Sequence, residues 1–222
     1  MNHSNVPAEI IERANTPRGE IQLQRRGENY EIISNGTFLM ATYNGESERL
    51  LVRSALQYVS QPKHVLIGGL GVGFSLQEAL LDPRIEQVTV VEIEQKIIDW
   101  NRTELADVSD RALEHPRTRL VHADLIEWIG TTRDKFDLVC LDIDNGPDWK
   151  VFEQNHSLYH ENSFDILYRL LQPGGCITFW SATASSQFAQ RMERYFGQVE
   201  VLEVKQSRGE PDYIFLSRKS EV

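Results

Sequence analysis

From Lys63 onward, short apolar runs alternate with stretches of helical spacing, and that alternation leaves few folds open. The runs Val65–Ile67, Val88–Val91, Thr118–His122, Leu138–Leu141 and Cys176–Phe179 predict strands. Between them, Ser75–Leu81, Glu94–Leu105, Asp124–Ile129 and Glu161–Leu171 predict helices. Strands apolar on both sides need cover on both sides, which implies a parallel sheet sandwiched by helices. Ala184–Phe196 predicts one more helix, and Val199–Val204 with Tyr213–Ser217 predicts an antiparallel hairpin on the sheet edge. The expected architecture is α/β: a Rossmann-like, doubly wound, mostly parallel seven-stranded sheet of the class I methyltransferase type.

Ahead of this body a smaller region is expected. Tyr30–Ser34 and Thr37–Thr42 are strand-like and flank Asn35-Gly36, a pair suited to a two-residue hairpin turn. Ile21–Leu23 adds a strand, and Glu46–Val59 carries apolar residues at helical spacing before Pro62. Residues 1–18 read as a loose tail. The expected division is therefore 1–18 as tail, 19–60 as strand region with a connecting helix, and 61–222 as the main domain.

The formal net charge of -10 argues against nucleic-acid binding, which needs clustered Lys and Arg. It suits a cationic small substrate or plain solubility. Cys140 and Cys176 lie apart in apolar runs and are expected as core thiols of a reducing compartment. The polar first residues show no signal peptide, and the longest apolar run, Val65–Phe74, is too short to span a membrane. The expectation is a cytoplasmic protein with no membrane partner. No His, Cys and Asp grouping has metal-ligand spacing, so no metal is expected.

Val65-Leu66-Ile67-Gly68-Gly69-Leu70-Gly71-Val72-Gly73 joins a strand to a helix. Glycine there allows a sharp turn and close approach of a ligand to the backbone. A dinucleotide fingerprint requires Gly or Ala where Phe74 or Leu76 stands, and no Gly-Lys-Ser/Thr follows, so the NAD and P-loop patterns both fail. What remains, Gly69-x-Gly71-x-Gly73, has the spacing of S-adenosylmethionine sites, although close helix–strand packing also recruits glycine.

Three strand-end carboxylates follow. Glu92 stands where an acid meets ribose hydroxyls, or is simply an exposed strand-end acid. Asp124 can accept a hydrogen bond from an adenine amino group; Asp124-x-x-Glu127 is also a helix cap with its reciprocal glutamate. Asp142 ends a buried apolar strand, where a carboxylate needs a partner and where ligands of open α/β sheets bind.

The order and spacing of the glycine run, Val91-Glu92-Ile93-Glu94, Asp124 and Asp142 resemble the spermidine/spermine synthase (aminopropyltransferase) family. Leu158-Tyr159, Phe164 and Leu171-Gln172-Pro173-Gly174-Gly175 match its later landmarks, and Asn35-Gly36-Thr37 its N-terminal strands. The resemblance implies a transferase using decarboxylated or intact S-adenosylmethionine as co-substrate. Gly69, Gly71, Gly73, Glu92 and Asp124 would bind it. Asp142 would orient and help deprotonate an attacking amine, with Asp144, Asn145 and Tyr159 on the amine side. Dimer formation is a further expectation from the family.

Three departures bear on substrate, the first being the family's Asp-Ser-Ser-Asp-Pro loop, which reads Asp142-Ile143-Asp144-Asn145-Gly146 here, its second carboxylate an amide or shifted to Asp144. The family's glycine loop reads Gly-Gly-Gly-Asp-Gly-Gly, with the Asp contacting the amine of the decarboxylated co-substrate; that place is Gly71 here. The family's Tyr-His-Glu run appears as Glu46-Ser47-Glu48. A small-molecule methyltransferase and a non-catalytic nucleoside-binding protein of the same fold therefore stay open. His156 and His160 are expected as surface polar residues, and Trp100, Trp128 and Trp180 as core.

Overall fold

The computed structural model describes residues 6–143, 158–159, 161–206 and 210–221. Its large sheet has seven strands in the order β10-β11-β9-β8-β5-β6-β7. These are β5 (His64–Gly68), β6 (Gln87–Glu92), β7 (Thr118–His122), β8 (Phe136–Leu141), β9 (Leu171–Ser181), β10 (Val199–Val204) and β11 (Asp212–Arg218). Strands β5 to β9 pair in parallel, and β11 pairs antiparallel with both β9 and β10. The predicted closing hairpin is thus present. Every side chain of Val65–Ile67 and Val88–Val91 is buried, as strands covered on both faces require.

Helices α2 (Phe74–Leu81), α3 (Gln95–Arg102), α4 (Leu125–Thr131), α5 (Glu161–Leu170) and α6 (Ser186–Phe196) connect the strands. Two apolar clusters result, one on each face. Val65, Ile67, Val88, Val90, Leu138 and Cys140 belong to the first, whereas Leu66, Val91, Val139, Leu141 and Ile177 belong to the second. This alternation is the period-2 signature of strands. Cys140 and Cys176 are buried free thiols, and burial pushes the Cys140 thiol up to about 12. Trp100 is fully buried, while Trp128 and Trp180 are only half-buried.

The N-terminal region is a four-stranded antiparallel sheet in sequence order: β1 (Glu9–Thr16), β2 (Gly19–Arg26), β3 (Asn29–Ser34) and β4 (Thr37–Ala41). The β3–β4 turn falls on Asn35-Gly36, both at positive φ. Strand β1 corrects the expectation of a loose tail. It pairs with β2 from Glu9↔Arg25 to Thr16↔Gly19, and as an edge strand it buries little, so its sequence carries no strong apolar alternation. Its anchors are distant. Trp100 Nε1 donates to Glu12 Oε2 at 2.7 Å, Lys96 pairs with the same carboxylate, and Thr16 Oγ1 and Arg18 Nη2 donate to Glu94 Oε2 at 3.0 and 2.7 Å.

Helix α1 (Glu46–Leu56) packs on the large sheet, not on the N-terminal one; Thr178 Oγ1 of β9 donates to Leu51 O at 3.0 Å. Among the described residues, no helix is long and apolar enough to cross a membrane.

Candidate active site

The carboxyl ends of β5, β6 and β8 meet at a cavity of about 330 Å³, within the size range of small-molecule sites. The N-terminal sheet forms its other wall through Ile21, Ser34, Phe38, Leu39 and Met40. Gly69, Gly71, Glu92, Asp124 and Asp142 all border it.

The three loop glycines differ in what they do. All have positive φ, +87° at Gly69, +53° at Gly71 and +91° at Gly73. A Cβ on Gly69 would lie 2.0 Å from Asp142 O, so only glycine lets β5 and β8 end this close together. A Cβ on Gly71 would enter space held by the Met40 side chain. Gly73 does not border the cavity. It stands at the start of α2, where a Cβ would be 2.8 Å from Ser109 Cβ and 3.0 Å from Asn101 Oδ1. Asn101, wholly buried, donates from Nδ2 to Gly71 O at 2.7 Å and so ties the loop to α3.

Glu92 is buried and accepts from Leu70 N at 2.8 Å through Oε2 and from Glu94 N at 2.7 Å through Oε1. Burial nevertheless holds its carboxyl above the usual range, those amides only partly offsetting the lost water. Asp124 caps α4: Ile126 N and Glu127 N both donate to its Oδ1, at 2.7 and 3.4 Å. Neither amide uses Oδ2. One side chain thus both caps α4 and borders the cavity.

Asp142 follows β8, its backbone N donating to Gly68 O at 2.9 Å. Its carboxyl is pushed well up, first by burial, then by the charges of Glu48, Asp212 and Glu92. Glu48 and Asp212 are the residues that the sequence reading did not assign. Glu48 comes from α1, Asp212 from the first position of β11, and both border the cavity. Burial raises Glu48 to about 7, with Asp212 adding to the rise. The one available signal was the glutamate of Glu46-Ser47-Glu48; Asp212 had none. Among the described residues, Glu48, Glu92, Glu94, Asp124, Asp142 and Asp212 line the cavity, against a single lining cation, Arg18. Arg18 is already engaged with Glu94 and Ile93 O.

Tyr159 does not border the cavity. Its ring packs on Phe179 and Phe188, 6.2 and 5.6 Å between centroids, and it is the preceding Leu158 that faces the opening. Expected positions Asp144 and Asn145, like His156 and His160, lie outside the described residues. No cluster of three or more metal-ligating side chains occurs among the described residues.

A doubly wound sheet of the class I methyltransferase type, with glycines and acids bordering a cavity at its strand ends, defines the fold class of this α/β protein. The family model for the spermine/spermidine synthase domain matches residues 46–205, and the chain belongs to that family. It is 32% identical to a polyamine aminopropyltransferase of Saccharolobus islandicus over 124 residues, 56% of this chain and 40% of that protein. To the polyamine aminopropyltransferase of Mycobacterium tuberculosis it is 31% identical over 160 residues, 70% of this chain and 29% of that one. The chain thus spans less than half the length of these relatives. A spermidine synthase crystallised with the transition state analogue AdoDATO shares the fold, with a TM-score of 0.82 at 18% identity over 96% of this chain and 74% of that one. Spermidine synthase from Thermotoga maritima does so at 0.80 and 17%, with the same coverage.

Proposed function

We propose that the chain is a cytoplasmic transferase that moves an aminopropyl-type group from a sulfonium nucleoside to a small amine. Family membership supports the reaction class. The observation that carries the reading is the union, in one cavity, of Glu92 and Asp124 with the acid group Glu48, Asp142 and Asp212.

The residues present fit such a co-substrate. Glu92 keeps lone pairs for two ribose hydroxyls after accepting its two backbone amides. Asp124 Oδ2 suits the adenine amino group. S-adenosylmethionine or its decarboxylated form would supply a carbon already activated by the neighbouring sulfonium. Asp142 receives the acceptor's ammonium and takes one proton from it, which leaves a neutral nitrogen with a free lone pair. That step matters because an alkylamine with a pKa of ~10.4 is neutral in only about one molecule in two thousand at pH 7. Burial raises these acids, and an arriving cation favours their ionised form, so the cavity is matched to an amine and not to an anion.

Gly71 and Met40 favour a second reading. With no carboxylate at that place, intact S-adenosylmethionine meets no repulsion there, and methyl transfer to the same acceptor becomes available. Product analysis separates the readings. Methylthioadenosine formed from the decarboxylated nucleoside and a diamine establishes aminopropyl transfer; S-adenosylhomocysteine establishes methyl transfer. Absence of turnover over a broad amine panel, with nucleoside binding intact, leaves a binding protein and refutes both.

A further inference from the structure

Ser47 Oγ lies 2.9 Å from Glu48 Oε2 and 2.7 Å from Asp212 Oδ2, so one hydroxyl touches the carboxyl of its neighbour and that of a residue 165 positions away. A serine hydroxyl carries a single hydrogen and can donate only once. Two ionised carboxylates would leave one contact as an oxygen–oxygen repulsion in a buried setting. The arrangement closes only when one carboxyl keeps its proton and donates it to Ser47 Oγ, which donates onward to the other. Gln206 Nε2 also donates to Asp212 Oδ2. Asp212 is thereby marked as the ionised partner and Glu48, 7% exposed, as the protonated one.

We propose that Glu48, Ser47 and Asp212 hold one proton between them next to Asp142, and that binding of a cationic acceptor expels it to solvent. The second half rests on the reading of the cavity as an amine site; the first does not. In the resting protein the pair carries one negative charge in place of two. When an ammonium enters, its charge favours ionisation, the Glu48 O–H proton leaves to water, and Glu48 becomes a carboxylate facing the cation. No covalent bond other than that O–H changes. The product is an ion cluster neutralised by the acceptor itself, and a neutral ligand of the same shape gains nothing from it. Ser47 acts here as a positioning residue, since it touches neither reacting centre.

The surrounding charges agree with this assignment. From the end of β8, Asp142 faces the pair; from β6, Glu92 adds its charge to Asp142; both oppose further ionisation. The cation nearest in sequence is Arg49, on α1 itself. It bonds Gly45 O and Gln77 Oε1 and lies over the Phe74 ring, 4.0 Å from its centroid, and its charge opposes the rise of Glu48 as the smallest of the influences on that carboxyl. From β9, Trp180 offers an indole and no charge. Desolvation then leads the forces that keep Glu48 protonated.

Infrared spectroscopy of the full chain without ligand tests the first half. Within the protonated-carboxyl absorption of the wild type at neutral pH, one component is expected to be retained in Asp142→Asn and lost in Glu48→Gln. In Asp212→Asn that component's pH midpoint should fall, because the like charge that raised Glu48 is gone. Absorption unchanged in Glu48→Gln would place no proton on Glu48 and overturn the proposal. For the second half, 1,4-diaminobutane is titrated calorimetrically into protein saturated with methylthioadenosine, in buffers of different ionisation enthalpy. About one proton should be released per diamine in the wild type and none in Glu48→Gln. Equal release in both would refute the linkage. Absence of diamine binding, with the infrared result intact, would refute the amine reading and its linkage while leaving the shared proton standing.

Discussion

The Met40 thioether occupies the position that a side chain on Gly71 would need: a Cβ built there lies 2.6 Å from Met40 Sδ and 2.5 Å from Met40 Cε. Gly71 belongs to the loop after β5 and Met40 to β4, so the small sheet finishes a wall that the large one leaves open.

Gly71→Asp should therefore be made together with Met40→Ala, which clears the space. Aspartate tolerates the left-handed backbone better than most residues. In the double variant, intact S-adenosylmethionine should weaken relative to its decarboxylated form, by about 1 to 4 kcal/mol for a carboxylate pair 4 Å apart. Calorimetry with both nucleosides reads the ratio. An unchanged ratio refutes placing the nucleoside tail over Gly71.

Glu92→Ala should cost both affinity and stability. It strips the acceptor from two backbone amides, Leu70 N and Glu94 N, at about 1–3 kcal/mol for each buried donor left unmade. Nucleoside affinity should fall at least about tenfold, since each ribose hydroxyl bond to a charged group contributes about 1.5–3 kcal/mol. Denaturant melts and nucleoside titration check the two effects. Nucleoside affinity equal to wild type would overturn the ribose role.

Asp142→Asn should lower kcat by about 10²–10⁴, the usual contribution of a positioned base, with nucleoside Kd unchanged. The rate loss should shrink as pH rises toward the acceptor's own pKa, where free amine no longer limits. Loss at a constant factor across pH would assign Asp142 a positioning role alone.

Stability should fall as pH rises toward neutrality. Glu48 has a folded-state value of about 7 against 4.5 for the free side chain, so between those values the native protein binds more protons than the unfolded one. Stability contributed by the protonated form is present below about 4.5 and is lost as pH climbs to about 7. Melting temperature measured across this window should decline in the wild type and flatten in Glu48→Gln.

Most of the large sheet was legible because its signal is local. β7 and β10 fall on the predicted residues, and the other strands of that sheet extend by a few residues beyond their apolar runs. Glycines and strand-end acids were readable for the same reason: a strand end fixes where its next side chain can go. What stayed hidden was non-local. The amphiphilic run Glu9–Thr16 becomes a strand because Glu12 finds Trp100 and Lys96, 88 and 84 residues away. Glu48 and Asp212 meet only when α1 and β11 pack on the same sheet end. Tyr159 carried a motif match, but a short 3₁₀ turn points Leu158 at the cavity and drives the aromatic ring into the core. Gly73 was grouped with its neighbours by spacing, yet close packing against Ser109 is what it serves.

The attachment of β1 has a thermodynamic corollary. A thin sheet with exposed edges tends to open before the body it leans on, so fraying of β1–β4 would unroof the cavity without unfolding anything else. Occupancy must then stiffen that flap, and its amides should exchange with deuterium more slowly as ligand accumulates.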